Sequence, residues 1–288
     1  MLAEPALRRD PGPPPAAAPP RPRKRISAGR PVLWLVTGLT GVFLIAPVLV
    51  VVFYSFNSEK SLTSFGHPSL RWYTGLVHNT ALLASIRVSL EVAVMTTVVA
   101  TVLGTLLAFG LSRSRTGWSR PTNTILLLTL VTPEIATATS LFLIYTTQLH
   151  VSLSILTITA SHITFSLVYV TVIVRTQLTG LRREIEEAVR DLGCSEMQTL
   201  RLVVLPQIRS AVIGAALLVF VLSFDDFVTS LLTTGVGTPP LPVYIYGMIK
   251  FGLSPQINAI GTLMVAVTTV LGITGMFLLA VRSRRVAP

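Results

Sequence analysis

Five ionisable side chains interrupt long apolar runs of this sequence: Arg87, Glu91, Glu134, Asp225 and Asp226. A charge within such a run is costly if the run lies in a membrane, which makes each a functional candidate. The chemistry on offer is that of charge, not of bond-making. Arg87 and Glu91 stand four apart and read as an ion pair on one helical face. Glu134 follows Pro133, whose ring and missing amide disrupt a helix. Its carboxylate would either face a polar cavity, as beside other interrupted helices, or cap the backbone amides that the break frees. Asp225 and Asp226 are adjacent, so on a helix their side chains diverge by about 100°. One of them would line a pathway and the other would meet a neighbouring helix or a partner chain. Two neighbouring carboxylates repel each other unless a cation or a proton is near. Aromatic rings would add cation–π surface; the candidates are Tyr145 and Phe224, with Tyr169, Phe220 and Phe227 behind them.

Other chemistries are poorly supplied. One cysteine, Cys194, excludes an intramolecular disulfide and a cysteine-based zinc cluster. The histidines, His67, His78, His150 and His162, have no metal-ligand spacing. A Walker A motif needs a lysine after glycine, but Lys24, Lys60 and Lys250 follow Arg23, Glu59 and Ile249. The chain is expected to be no enzyme and to hold no cofactor; ATP and magnesium, if used, would sit on another chain.

The elements that must carry these residues follow from composition. Of 288 residues, 51% are hydrophobic and only 12% charged, half the charge of a soluble domain. With a mean hydropathy of +0.70, disorder is excluded for most of the chain. The net charge of +11 would suit a nucleic-acid binder, but the basic residues are scattered among apolar runs, so no nucleic acid is expected. Six runs reach the roughly 20 residues needed to cross a bilayer: 31–56, 83–111, 123–146, 152–175, 211–233 and 257–281. They are continuous rather than alternating, which disfavours a barrel. The predicted fold is all-α with six transmembrane helices. Residues 1–30, rich in Pro, Ala and Arg, read as a disordered basic tail. The first run is too long for a signal h-region and reads as a retained span. Basic residues of alternate connections number 19 against three, which predicts both termini, including 282–288, to be cytoplasmic and 57–82 to be extracytoplasmic.

The longest cytoplasmic connection, 176–210, has its own pattern. Ile185, Ala188, Val189 and Leu192 form one helical stripe, with Arg183–Glu187 and Glu186–Arg190 as opposite-charge pairs beside it. Gly193 is placed for a left-handed cap. Ser195 and Gln198 make a capping box, Met197, Leu200 and Val204 a second stripe, and Pro206 is expected to close that second helix. The first stripe would either pack on the chain's own spans or fill a groove on a partner.

Glu187-Ala188-Val189, then Gly193, then Val203 and Leu205-Pro206 resemble the EAA loop of bacterial ABC importer permeases in spacing throughout. Val189 and Val203 replace the family's Ala and Ile. Further segments resemble the polyamine (spermidine/putrescine) branch: Ser55-Phe56-Asn57, Thr132-Pro133-Glu134-Ile135, Ser161 to Phe165, Ser223 to Phe227, and Leu241 to Tyr246 with Ser254 to Ala259. The resemblance implies a type I importer permease of MetI-like fold in the bacterial inner membrane, with 83–281 as its core. It implies three partners: a paralogous permease, cytosolic ABC ATPase subunits docking on 182–206 through Glu187, Ala188, Gly193, Leu205 and Pro206, and an extracytoplasmic binding protein received by the outer loop 234–256. Asp225, Asp226 and Glu134 would line the path of a polyamine. Ferric iron, an opine or a phosphonate is the alternative cargo, and an ion-coupled secondary transporter the alternative class. Split by topology, the cytoplasmic segments carry +12 and the spans with the outer loops −1. The basic excess therefore records orientation, and the path itself is slightly acidic, as a cation requires.

Overall fold

A computed structural model of the chain describes residues 29–60, 64–113, 119–181, 183–252 and 254–284. Most of the expected basic tail, residues 1–28, and the last four residues lie outside them. The described chain divides into two compact units at Val48 and Leu49. The first contains most of helix α1 (Gly29–Ser55). Leu33, Trp34, Leu35 and Val36 are consecutive, so this helix is apolar on every side, and Pro31–Ser55 is long and apolar enough to cross a membrane.

The second unit holds the remaining helices: α2 (Arg71–Val77), α3 (Thr80–Arg113), α4 (Ser119–Val131), α5 (Glu134–Leu143), α6 (Ile155–Thr179), α7 (Arg183–Asp191), α8 (Glu196–Thr199), α9 (Leu205–Asp225), α10 (Val228–Thr233), α11 (Leu241–Phe251) and α12 (Pro255–Arg284). Its centre is a triad of α3, α6 and α9. Small residues let these backbones approach. A Cβ on Gly104 of α3 would lie 2.6 Å from Val170 Cβ of α6, and Thr171 donates to the Gly104 carbonyl at 3.3 Å. Ala100, Ala108, Val170, Val174, Ile208, Ala215 and Val219 fill this seam. Toward the other end, Leu76, Leu82, Ala93, Phe224, Leu241, Ala259 and Ile260 make a second core. Among the described residues there is no strand, only an isolated bridge between Asn57 and Pro68.

Five helices are long and apolar enough to span, and a bent pair supplies the sixth. The run expected at 123–146 as one span is that pair. Pro121–Val131 and Glu134–Gln148 meet at 106°, because Pro133 denies the second half an amide and takes an extended ψ of 132°. The run expected at 211–233 is also broken. Helix α9 stops at Asp225, and Asp226, with ψ 123°, turns the chain into the short α10.

Pro206 does not close a helix, contrary to expectation. The chain is helical from Glu196 to Asp225, with a π turn at Leu200–Val204 just before the proline. Pro206 then occupies the first turn of α9, where a missing amide is tolerated and the fixed φ is already helical. The connection 57–82 is more ordered than a loop. Asn57 Nδ2 donates to Ser64 O at 2.8 Å, its Oδ1 accepts from Gly66 N at 3.0 Å, and Trp72 Nε1 donates to its carbonyl at 2.6 Å. These bonds tie the chain after α1 to α2. In the expected outer loop 234–256, α11 is anchored where Leu241 N donates to Ser89 Oγ at 2.8 Å.

Candidate functional site

The two helix breaks meet. Glu134 opens α5, Asp225 ends α9 and Asp226 leads into α10, and all three line one cavity of about 410 Å³. Its walls also carry Thr132, Thr137, Ser161 and Thr229, with Phe165, Tyr169 and Phe227 as aromatic surface. The adjacent aspartates diverge as neighbouring positions must: Asp225 is exposed and Asp226 is buried. Asp226 Oδ1 accepts from Ser230 N at 2.8 Å, capping the first turn of α10. It also lies 3.3 Å from His162 Nε2, and its carboxyl reaches that of Glu134. Glu134 in turn accepts from Thr229 Oγ1 at 3.4 Å. The partner that Glu134 meets in Thr229 belongs to the other break.

These positions define an electrostatic sense. The last turn of α9 ends at the cavity, and the carbonyl end of a helix is its negative end. The opposing positive end of α10 is offset by Asp226, and that of α5 by Glu134. What remains is a surplus of negative charge, with Asp225 as its exposed carboxylate.

The other expected site residues are placed differently. Tyr145 lies in a π turn, Ile144–Gln148, and its hydroxyl meets Ser161 Oγ at 3.1 Å, behind the lining. Phe224 is buried in the second core with Ala93 and Ala259. Its ring points away from the cavity because it sits one position, or about 100°, from Asp225. Phe220 stacks on it at 6.1 Å between centroids. Of the five aromatic candidates, only Tyr169 and Phe227 line the cavity. Arg87 and Glu91 form their expected exposed pair at 2.8 Å. Sequence reasoning missed His162, Ser223 and Ser230. The available signal was position, since His162 is the one histidine expected inside an apolar run.

At the other end of the triad, α7 presents Ile185, Ala188, Val189 and Leu192 outward, with Leu192 85% exposed. The stripe therefore does not pack on the chain's own spans. Gly193 has φ +88°, and a Schellman cap forms around it: Gly193 N donates to Arg190 O at 2.8 Å and Cys194 N to Val189 O at 3.3 Å. The capping box is present, with Ser195 N donating to Gln198 Oε1 at 2.8 Å and Gln198 N to Ser195 Oγ at 3.3 Å. The expected Glu186–Arg190 pair is not formed. Glu186 instead meets Arg113 of α3 at 2.5 Å, and Arg190 meets Glu196 of α8 at 3.3 Å. Partners held by tertiary packing outcompete a pairing that costs side-chain entropy for little gain in water. The Arg183 side chain, and so its expected pair with Glu187, lies outside the described residues.

Arg113 thus tethers α7 to α3. Arg113→Glu is expected to raise the rate of chymotryptic cleavage after the exposed Leu192 by up to about fivefold, the scale of an exposed ion pair. Adding Glu186→Arg, which creates no chymotryptic site, should restore the original rate, as limited proteolysis would show.

Residues 100–288 match the family described as binding-protein-dependent transport system inner membrane component. The chain is 34% identical over 259 residues to the putrescine transport system permease protein PotI of Escherichia coli K12, covering 86% of this chain and 90% of that one. It is 34% identical over 236 residues to the spermidine/putrescine transport system permease protein PotC of the same organism, covering 82% and 89%. Among solved structures, a bacterial alginate ABC transporter superposes with a TM-score of 0.67 at 14% identity, over 89% of this chain and 93% of that one. The MetNI methionine ABC transporter superposes with a TM-score of 0.59 at 17% identity, over 69% and 95%. Those two likenesses show the fold. With the family matched along two thirds of the chain and the broken spans placed around one acidic cavity, this chain belongs to the binding-protein-dependent inner membrane transport components, as a multi-pass ABC importer permease that works with an ATPase and a substrate-binding protein.

Proposed function

We propose that this chain carries polyamines, putrescine in the first place, as one of two permease subunits of an ATP-driven importer. The observation that supports this most is the exposed Asp225 carboxylate at the carbonyl end of α9, in a cavity that it shares with Glu134, Asp226, hydroxyls, apolar side chains and aromatic rings. An alkylammonium needs acceptors for three N–H donors and apolar contact for its methylenes, and this lining supplies both. The relatives named for putrescine and spermidine transport support the same cargo. Among the described residues no three His, Cys, Asp or Glu side chains are disposed to hold a metal ion, which disfavours ferric iron, and the lining offers no cationic residue for an opine or phosphonate.

The partners in this reading are a PotB-like permease, PotA-like ATPase subunits that hold ATP and magnesium, and a PotD-like binding protein. The termini and the α7–α8 segment face the cytoplasm, and α2 and α11 the outer side. The exposed stripe of α7, with Glu187, Ala188 and Gly193, docks on an ATPase. Leu205 and Pro206 lie at the start of α9, which runs unbroken to Asp225, so a displacement of α7 and α8 reaches the cavity along one helix. Alternating access then follows from closure of the ATPases.

Two experiments test the reading. Reconstituted with its partners, the complex is expected to take up labelled putrescine only with ATP inside the vesicles; uptake that persists without ATPase subunits would favour an ion-coupled carrier instead. Gly193→Asp places a side chain at φ +88° and a negative charge at the carbonyl end of α7, both unfavourable. Uptake should drop at least about tenfold, a loss equivalent to roughly 1.4 kcal/mol, with membrane insertion unchanged. Normal uptake in that variant would sink the docking assignment.

A further inference from the structure

His162 of α6 is fully buried, and both of its ring nitrogens are engaged by the broken helix opposite. Nδ1 meets Ser223 Oγ in the last turn of α9 at 2.7 Å. Nε2 meets Asp226 Oδ1 at the break at 3.3 Å and Ser230 Oγ of α10 at 3.2 Å. Facing a carboxylate, Nε2 carries a proton whatever the charge of the ring; in the neutral ring, Nδ1 then accepts from the Ser223 hydroxyl. Phe165, one turn along α6, packs against the ring at 5.5 Å between centroids. One imidazole therefore joins the segment before the break, the break itself and the segment after it. A ring without partners at such depth would be destabilising; here every polar atom has one.

A helix broken in mid-span has no internal hydrogen bonds across the gap to fix the angle between its halves. Something outside must set which of two adjacent carboxylates stands exposed in the cavity that both line. We propose that His162 is a positioning residue that binds Asp226 to the protein and thereby leaves Asp225 as the carboxylate that meets the cargo. This inference rests on the reading of the cavity as a cation path, but the placement of residue 225 is measurable without reference to cargo.

Two replacements separate positioning from packing. The amide nitrogen of Gln reaches the place of Nε2, whereas that of Asn reaches only the place of Nδ1. In the reconstituted complex, His162→Asn is expected to raise the apparent KM for putrescine about tenfold with little change in maximal rate, the scale of one hydrogen bond to a charged group. His162→Gln should restore most of it. Asp226→Asn should raise KM similarly, and His162→Asn with Asp226→Asn together should be no worse than either alone, since both remove one interaction.

In parallel, in a Cys194→Ser background, labelling of Asp225→Cys by a cationic methanethiosulfonate should slow about fivefold on adding His162→Asn and stay unchanged on adding His162→Gln, on the same scale. Equal effects of Asn and Gln in either assay, or losses that multiply in the double variant, would assign His162 to packing alone and overturn the proposal. If the unaltered complex takes up no putrescine, the polyamine reading fails while the labelling pattern still decides the role of His162.

Discussion

Asp225→Asn is expected to lower putrescine uptake by about 10- to 100-fold at low substrate concentration, the worth of a hydrogen bond to a charged group in this environment. The change keeps size and shape and removes one charge. Asp225 is exposed at the cavity, so no buried partner is left unpaired and the complex should assemble at its usual yield. The loss should fall mainly on KM, because the carboxylate is read as a binding group for the ammonium. Glu91→Gln is the control: its carboxylate meets only Arg87 on an exposed face of α3, and uptake should not change. The measurement is initial-rate uptake of labelled putrescine into vesicles holding ATP. Wild-type KM in the Asp225 variant would remove the carboxylate from the path and with it the main support for a cationic cargo.

The second large effect concerns assembly. A Cβ on Gly235 would lie 1.8 Å from Leu153 O and 2.4 Å from Leu153 C, backbone against backbone, where no rotamer change can help. Gly235→Ala must therefore push the segment after α10 away from the start of α6. That motion threatens the bond from Thr157 Oγ1 to Thr233 O at 3.0 Å and the capping box of Ser154 with Thr157. Overpacking costs about 1–3 kcal/mol and a lost cap about 1 kcal/mol. At about 2–4 °C per kcal/mol for a chain of this size, the purified protein should melt roughly 5–15 °C lower. Gly110→Ala serves as control, because a Cβ there meets nothing within 4 Å. An unshifted transition for Gly235→Ala would show that the two segments separate more readily than their contact suggests.

Legibility in the sequence followed the range of the interactions concerned. The Schellman cap at Gly193 and the box at Ser195 and Gln198 depend on neighbours within five residues, and both were readable. The apolar runs were readable too, because lipid selects for length and composition whatever packs beside them. Proline was read well in one place and badly in another. Pro133 breaks its span, but Pro206 does not end its helix, since the wider turn before it makes room for the ring and leaves it in the first turn of α9. A proline alone does not state which of these applies.

By itself, then, the sequence determined an all-α chain of up to six spans, its bias of charge between connections, the local caps of the α7–α8 segment and a set of carboxylates too costly to be incidental. Only the tertiary structure decided how those carboxylates divide. Asp225 faces a cavity and Asp226 is held by His162, 64 positions earlier; Glu134 is joined to Thr229, 95 positions later. Likewise Glu186 chose Arg113, 73 positions away, over Arg190 at four. The reason is geometric: sequence spacing fixes the angle between two side chains on one helix, while the rotation of that helix against its neighbours is set by how small residues such as Gly104 let the backbones meet.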